Sequence, residues 1–96
     1  MPVRLIVTTT AAAGRGSELA QLYKARCAEV MREAGCEQFE VFQSAIDADK
    51  LVLLERWVDQ QALQAHSKLN SSRPPLPSEL RTGTTHREDY VYNPTR

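Results

Sequence analysis

Several features that mark particular protein classes are missing from this chain. No apolar run approaches the roughly 18 residues that span a bilayer, and the first residues lack the apolar core of a signal peptide. The only cysteines, Cys27 and Cys36, form no CxxC pair, so neither a metal site nor a disulfide framework is indicated. We therefore expect a cytoplasmic protein with no membrane partner, whose two thiols stay reduced and packed.

An excess of charge of one sign is also missing. Twelve lysines and arginines balance twelve aspartates and glutamates, which gives a formal net charge of zero. The basic residues are scattered from Arg4 to Arg96 and form neither a run nor a one-sided stripe. Because proteins bind a phosphate backbone through clustered positive charge, no nucleic-acid partner is expected.

Motifs for metal and nucleotide chemistry are absent as well. His66 and His86 are the only histidines, and neither belongs to a His/Asp/Glu group with ligand spacing. Gly14 and Gly16 lack the third glycine of the dinucleotide fingerprint, and no P-loop or nucleophile elbow occurs. The sequence therefore predicts no metal site and no cofactor.

The first half of the chain alternates strand and helix patterns. Residues 3–10 predict a strand with Val3, Leu5 and Val7 on one face. Ser17 is predicted to cap a helix whose apolar stripe recurs as far as residue 34. Gly35 is predicted to end that helix, and a second strand is predicted over residues 36–43.

The second half repeats the alternation. The predicted elements are, in order, a polar connection (44–50), a strand (51–58), a helix (60–69), a segment with three prolines (71–77), a turn (78–81), a last strand (84–92) and a tail (93–96). Asp59 is predicted to cap the second helix, and the prolines exclude regular helix from the segment that follows it. The whole chain, residues 1–96, is expected to form a single domain with its core within residues 3–92.

The order of elements predicts an α+β fold. The sequence strand, helix, strand, strand, helix, strand is typical of the ferredoxin-like βαββαβ fold, with an antiparallel four-stranded sheet and both helices on one face. The strand over residues 51–58 is apolar on both faces, although helices can cover only one of them. We therefore expect a second copy of the chain to cover the other face, which makes a homodimer through the sheet.

Two segments resemble a known family. The run Gly35-Cys36-Glu37-Gln38-Phe39-Glu40-Val41-Phe42 is similar to the second strand of antibiotic biosynthesis monooxygenase domains. The run Leu51-Val52-Leu53-Leu54-Glu55-Arg56-Trp57 resembles their third strand, which ends in Glu-x-Trp. The agreement in order and spacing extends over residues 3–69, through a helix with Asp59 and His66.

The resemblance implies a dimeric α/β barrel with a pocket between sheet and helices in each subunit. Several members oxidise phenols or quinols with molecular oxygen and use no metal or flavin, whereas others degrade haem or act as isomerases. The haem-degrading members use a further histidine after the second helix and an asparagine on the first strand. This chain has no histidine between His66 and His86, and three threonines, Thr8 to Thr10, stand where the asparagine is expected. The sequence therefore disfavours haem degradation.

Three residues are the candidate catalytic group. Glu55 and Trp57 are two apart on a strand and share one face, and the resemblance directs that face toward the pocket. His66 is predicted on the inward face of the second helix, where an imidazole could remove a proton from a phenol or enol. We assign His66 as the base, Trp57 as an aromatic platform and Glu55 as the orienting partner. The structural alternatives are a core tryptophan, an ion-paired glutamate and a hydrogen-bonded core histidine.

Tyr23, Met31 and Asn70 are candidate substrate-binding residues in the same pocket. Core packing for the first two and helix capping for Asn70 are the structural alternatives. The predicted function is a cofactor-independent monooxygenase that acts on a small aromatic, phenolic or quinol-like compound. A module that binds a small hydrophobic ligand without catalysis and a proton-transfer isomerase remain the alternatives.

Overall fold

The computed structural model describes residues 1–95, with the backbone alone of Thr84, so the last residue of the predicted tail lies outside the described residues. The elements are β1 (Val3–Ala11), α1 (Gly16–Val30), β2 (Cys36–Gln43), β3 (Lys50–Trp57), α2 (Gln60–Asn70), a short 3-10 helix (Ser78–Leu80) and β4 (Arg81–Val91). This order confirms the predicted βαββαβ arrangement. Asp59 caps α2 as predicted, because its carboxylate accepts the backbone N–H of Ala62 at 2.8 Å.

The four strands form one antiparallel sheet in the order β2-β3-β1-β4. This is the ferredoxin-like topology that the sequence predicts, and the two central strands β3 and β1 contribute most of the buried hydrophobic residues of the sheet. Alternate residues of each strand point to opposite faces. The helix-covered face of the sheet contributes these buried hydrophobic residues: Val3, Leu5, Phe39, Leu51, Leu53 and Trp57.

The start of α1 differs from the prediction. Ser17 does not cap the helix, which begins one residue earlier at Gly16. The Asp49 carboxylate, from the connection between β2 and β3, accepts the backbone N–H groups of Gly14 at 3.0 Å and Gly16 at 2.9 Å. A Cβ on Gly16 would lie 1.8 Å from the carbonyl oxygen of Ala48. The cap therefore comes from a residue distant in sequence, and the close approach requires glycine.

The end of α1 also differs. The helix stops at Val30 rather than continuing to Ala34, and Met31 occupies the C-cap position. Gly35 adopts the left-handed φ of +81° that was expected, but it does so in the turn that leads into β2. A Cβ on Gly35 would lie 2.6 Å from the Ala62 side chain. The turn thus brings the start of β2 against α2, which an extra helical turn would prevent.

Strand β4 begins at Arg81, three residues before the predicted start. Its pairing with β1 shifts between Thr10↔Thr82 and Thr8↔His86, and Gly83 has a φ of +66° within this irregularity. Between these pairs β4 advances four residues while β1 advances two, so the bulge adds two residues to β4. The unpaired residues interrupt the ladder between the start of β4 and the part that the sequence pattern predicts.

Candidate functional site

A cavity of about 470 Å³ lies between the helix-covered face of the sheet and the two helices. Its apolar wall comes from Leu5, Val7, Phe39, Leu53, Leu63, Pro75 and Leu76. The proline-containing segment (71–77) therefore forms part of the wall. A volume of this size is typical of sites for small organic ligands.

His66 lies on the inward face of α2 and contributes to the cavity wall. Its residue exposure is 7%, and its ring packs against two aromatic side chains. The ring centroid is 4.6 Å from that of Trp57, with an interplanar angle of 32°, and 5.5 Å from that of Phe39. These contacts fix the plane of the imidazole, because rotation would collide with both neighbours.

A glutamate that the sequence analysis missed is the hydrogen-bond partner of His66. Glu33 Oε1 lies 2.9 Å from His66 Nδ1, and both side chains are about nine-tenths buried. Arg73 Nη1 lies 2.6 Å from Glu33 Oε2, although the N–H does not point at the oxygen as in a directed hydrogen bond. Since a carboxylate can only accept, Nδ1–H of His66 is the donor, and Nε2 is left as the acceptor of the ring.

Glu55 is buried, with 5% exposure, but it has a different partner from the one predicted. Its Oε1 accepts the indole N–H of Trp57 at 2.9 Å. Burial raises the pKa of the Glu55 carboxyl, against the opposing effects of the Trp57 hydrogen bond and the nearby His66 and Arg87. Glu55 therefore lines the cavity and holds Trp57, whereas Glu33 orients His66.

Some of the other predicted residues line the cavity and some do not. Tyr23 and Asn70 line the cavity beside His66 and Glu55. Trp57 has no exposed surface and is packed behind His66, so its ring is not open to the cavity. Met31 lies outside the cavity and is 45% exposed, because α1 ends before it and directs it away. The predicted group is thus brought together except for Met31.

The two cysteines have the character of packed thiols. Burial raises the pKa of both Cys27 and Cys36 to about 11. Thiolates, the reactive form, are therefore scarce at neutral pH. Within residues 1–95 no three His, Cys, Asp or Glu side chains gather closely enough to hold a metal ion. Neither described helix is long and apolar enough to cross a bilayer.

The fold and the cavity define a small ferredoxin-like α+β protein with a ligand-sized site between sheet and helices. The sequence profile described as antibiotic biosynthesis monooxygenase matches residues 2–73 of the chain. The chain therefore belongs to the antibiotic biosynthesis monooxygenase family, as the sequence resemblance suggested. A comparison with curated proteins finds no match.

Solved structures share the whole fold. PA3566 from Pseudomonas aeruginosa is 29% identical, with a TM-score of 0.79, over 97% of this chain and 95% of its own. Rv0793 from Mycobacterium tuberculosis is 23% identical, with a TM-score of 0.77, over 98% of this chain and 97% of its own. A protein from Nitrosomonas europaea described as a candidate antibiotic biosynthesis monooxygenase is 18% identical, with a TM-score of 0.78, over 96% and 98% of the two chains. The two neighbours below 25% identity support the fold alone.

Proposed function

We propose that this protein is a cofactor-independent monooxygenase that oxidises a small phenolic or quinol-like aromatic compound with molecular oxygen. The observation that carries the proposal is the 2.9 Å contact between Glu33 and Nδ1 of His66 at the wall of the cavity. Membership of the family supports the same assignment. A carboxylate that fixes the tautomer of a buried imidazole is a recurrent arrangement for a general base.

The first step is removal of a proton from the substrate. Glu33 holds the proton of the neutral His66 ring on Nδ1, so Nε2 carries the lone pair that can accept the phenolic proton. The imidazolium that results is stabilised by the Glu33 carboxylate, which is itself paired with Arg73. Packing of the His66 ring against Trp57 and Phe39 holds the imidazole in position during the transfer.

The second step is oxidation of the deprotonated substrate. An electron-rich phenolate passes one electron to O₂, and the resulting radical pair combines to form a carbon–oxygen bond at a ring carbon that bears hydrogen. The imidazolium returns its proton to the peroxide oxygen, and loss of water leaves a quinone carbonyl. One phenol and one O₂ thus give one quinone and one water. The protein supplies a base and a fixed geometry.

Trp57 and Glu55 act as positioning residues in this scheme. Trp57 supports the back of the His66 ring instead of stacking on substrate, because its own surface is fully buried. Glu55 accepts the indole N–H and so fixes the rotation of Trp57. Tyr23 and Asn70, which line the cavity, are left to contact the substrate directly.

Oxygen uptake with a panel of phenols, hydroquinones and anthrones tests the proposal. His66→Ala should reduce the rate by about 100-fold or more, since general-base catalysis contributes roughly that much. Glu33→Gln should reduce it less and alter the pH profile, because it removes the negative charge that stabilises the imidazolium but leaves an oxygen that can accept Nδ1–H. Gln64→Ala, an exposed change on the same helix, is the matched control and should leave the rate unchanged.

Other outcomes would identify a different function. Substrate turnover that continues at the same rate under nitrogen would indicate proton-transfer isomerisation on the same fold. Ligands that raise the melting temperature without any turnover would indicate a non-catalytic binding module. An unchanged oxygen-uptake rate in the His66→Ala variant would show that the base has been assigned to the wrong residue.

We also propose that the chain works as a homodimer through the sheet face opposite the helices, which we call the open face. Its apolar centre consists of Ile6, Phe42, Val52 and Leu54, with Phe42 45% exposed in the single chain. An apolar patch in the middle of an exposed sheet is typical of a protein interface. Light scattering at micromolar concentration should give twice the mass of the chain, and a stable monomer would contradict the proposal.

A further inference from the structure

The cavity has an excess of positive charge that general-base chemistry does not require. Three arginines, Arg26, Arg81 and Arg87, line it, whereas Glu55 is the one carboxylate among the lining residues. Burial raises the pKa of the Glu55 carboxyl, which reduces the negative charge that it can offer. The three arginines differ in how far the positive charge of each is neutralised by neighbouring groups.

The three arginines have different partners. Arg87 is engaged by Asp89, with two contacts of 2.7 Å between the guanidinium and both carboxylate oxygens. Arg26 donates to the carbonyl oxygen of Pro74 and lies 3.8 Å from the exposed carboxylate of Glu29. For Arg81, by contrast, no carboxylate among the described residues lies within 4 Å of the guanidinium.

Tyr23 lies beside this arginine and adds a further donor. Burial raises the pKa of the Tyr23 phenol, while the guanidinium groups of Arg81 and Arg26 act in the opposite direction. The balance leaves the phenol protonated at neutral pH, so its O–H is available to donate. Tyr23, Arg26 and Arg81 therefore form a donor-rich group, which we call the arginine end of the cavity.

Arg81 and Glu55, which both line the cavity, lie toward opposite ends of strand β1. Strand β1 pairs Ala11 with Arg81 at one end and Leu5 with Glu55 at the other. Six residues of strand span about 20 Å, at 3.3 Å per residue, and the side chains reach into the space between. The wall between the two ends includes Leu5, Val7 and Leu53, which suit an aromatic ring system.

We propose that the ligand of this cavity is an aromatic compound that bears a carboxylate, bound at the arginine end by Arg81 with Tyr23 and Arg26. A carboxylate accepts two parallel N–H groups from one guanidinium and can take the phenol O–H on its remaining lone pairs. It would supply a carboxylate to Arg81, whose guanidinium has none within 4 Å among the described residues. That this ligand is also the substrate rests on the proposed function, since the phenolic end of the same molecule would then face His66.

A matched pair of ligands tests the inference by calorimetry under nitrogen: 6-hydroxy-2-naphthoate, whose hydroxyl and carboxylate lie at opposite ends of the ring system, and its methyl ester, which differ by one charge. The wild-type protein should bind the acid at least about tenfold more tightly than the ester, as a charge-assisted hydrogen bond provides. Arg81→Met should bring the two affinities to within about twofold, and Arg81→Lys should retain part of the preference because it keeps the charge. Arg32→Met, an exposed arginine outside the cavity, should leave the preference unchanged.

Equal affinity of the wild-type protein for the acid and the ester would overturn the inference. So would an Arg81→Met variant that weakens both ligands by the same factor, because the arginine would then act through the fold and not through charge. Binding is measured without oxygen and without turnover, so these results are independent of the proposed reaction. Selective binding of the acid by a protein that takes up no oxygen would support the carboxylate site and reject the monooxygenase assignment.

Discussion

The two faces of the sheet are built from the same strands, but they differ in how far their polar groups are buried. On the helix-covered face, Glu55 and His66 are at least nine-tenths buried and held by fixed partners. On the open face, Arg4 and Arg56 stand over the ring of Tyr92 at 5.0 Å each, in contact with solvent. The difference separates a face suited to chemistry from one suited to association.

Burial sets the titratable groups of the helix-covered face apart from those of the open face. A titratable group changes its pKa and its hydrogen-bond strength where water is excluded, as the Glu55 carboxyl does. An exposed pair such as Arg56 with Glu37, 3.1 Å apart, is screened by solvent and contributes little to stability. The residues that alternate along one strand therefore fall into two functional classes according to the face that they share.

The largest expected effect compares two phenylalanines of β2, one on each face. Phe39 is 6% exposed and Phe42 is 45% exposed. Phe39→Ala should lower the free energy of unfolding by about 3–4 kcal/mol through the cavity that it creates. Phe42→Ala should cost about 1 kcal/mol or less within the chain and weaken the dimer instead. Urea unfolding and light scattering at several protein concentrations measure the two effects.

The results for these two substitutions could contradict the distinction between the two faces. If Phe42→Ala destabilised the monomer as much as Phe39→Ala, the open face would be part of the core of one chain. If Phe42→Ala left dimerisation unchanged, the dimer would form through another surface. Ile46, which is 98% exposed in the connection between β2 and β3, provides the control: Ile46→Ala should change neither measurement.

A second, smaller effect concerns Arg73, which pairs with the glutamate that contacts His66. Arg73 is 11% exposed and pairs with the equally buried Glu33, so Arg73→Met should lower the free energy of unfolding by about 2 kcal/mol. Arg15 pairs with Glu18 at 2.9 Å, but both side chains are about half exposed, and Arg15→Met should cost about 0.5 kcal/mol or less. Equal losses in chemical denaturation would show that the pair behind His66 is not protected from solvent.

Local patterns in the sequence predicted the parts of this structure that depend on local physics. Alternation along the strands assigned Phe39 and Phe42 to opposite faces, because side chains on a strand have a period of two. Asp59 was identified as a helix cap because that motif is complete within four residues. The order of elements then led to the sheet topology, since short connections and one helix-covered face leave few alternatives.

The parts that the sequence did not predict depend on contacts between distant residues. Asp49 caps α1 across 33 residues, and Glu33 meets Arg73 across 40. Glu33 was interpreted as part of a helix that in fact ends at Val30, so nothing in the pattern marked it as a partner of His66. The same error placed Met31 in the cavity. A site assembled from a turn and a loop has no periodicity to reveal it.

The smallest expected effect is a change of stability with pH that arises from Glu55 on the helix-covered face. Because burial raises the pKa of the Glu55 carboxyl, the folded chain keeps a proton there that the unfolded chain has already lost. Its contribution to stability is therefore complete below the unfolded pKa, near 4.5, and declines as the pH rises through the folded pKa. Glu55→Gln does not titrate and still offers Trp57 an acceptor oxygen, so it should match the wild-type protein at pH 4 and become more stable than it as the pH rises to 8.

Urea unfolding of both proteins across that range measures the effect, with Glu79→Gln as an exposed control whose difference from the wild-type protein should not change with pH in this way. A difference between Glu55→Gln and the wild-type protein that stays constant would mean that the pKa of Glu55 is the same in the folded and the unfolded chain. A difference that changes in favour of the wild-type protein toward pH 8 would mean that the carboxylate is stabilised in the folded state. His66 and Arg87 would then outweigh burial, because both act to lower the pKa of Glu55. In that case Glu55 would carry a negative charge beside His66. The two faces would then differ in how their charged groups are paired and not in how far burial shifts their pKa values.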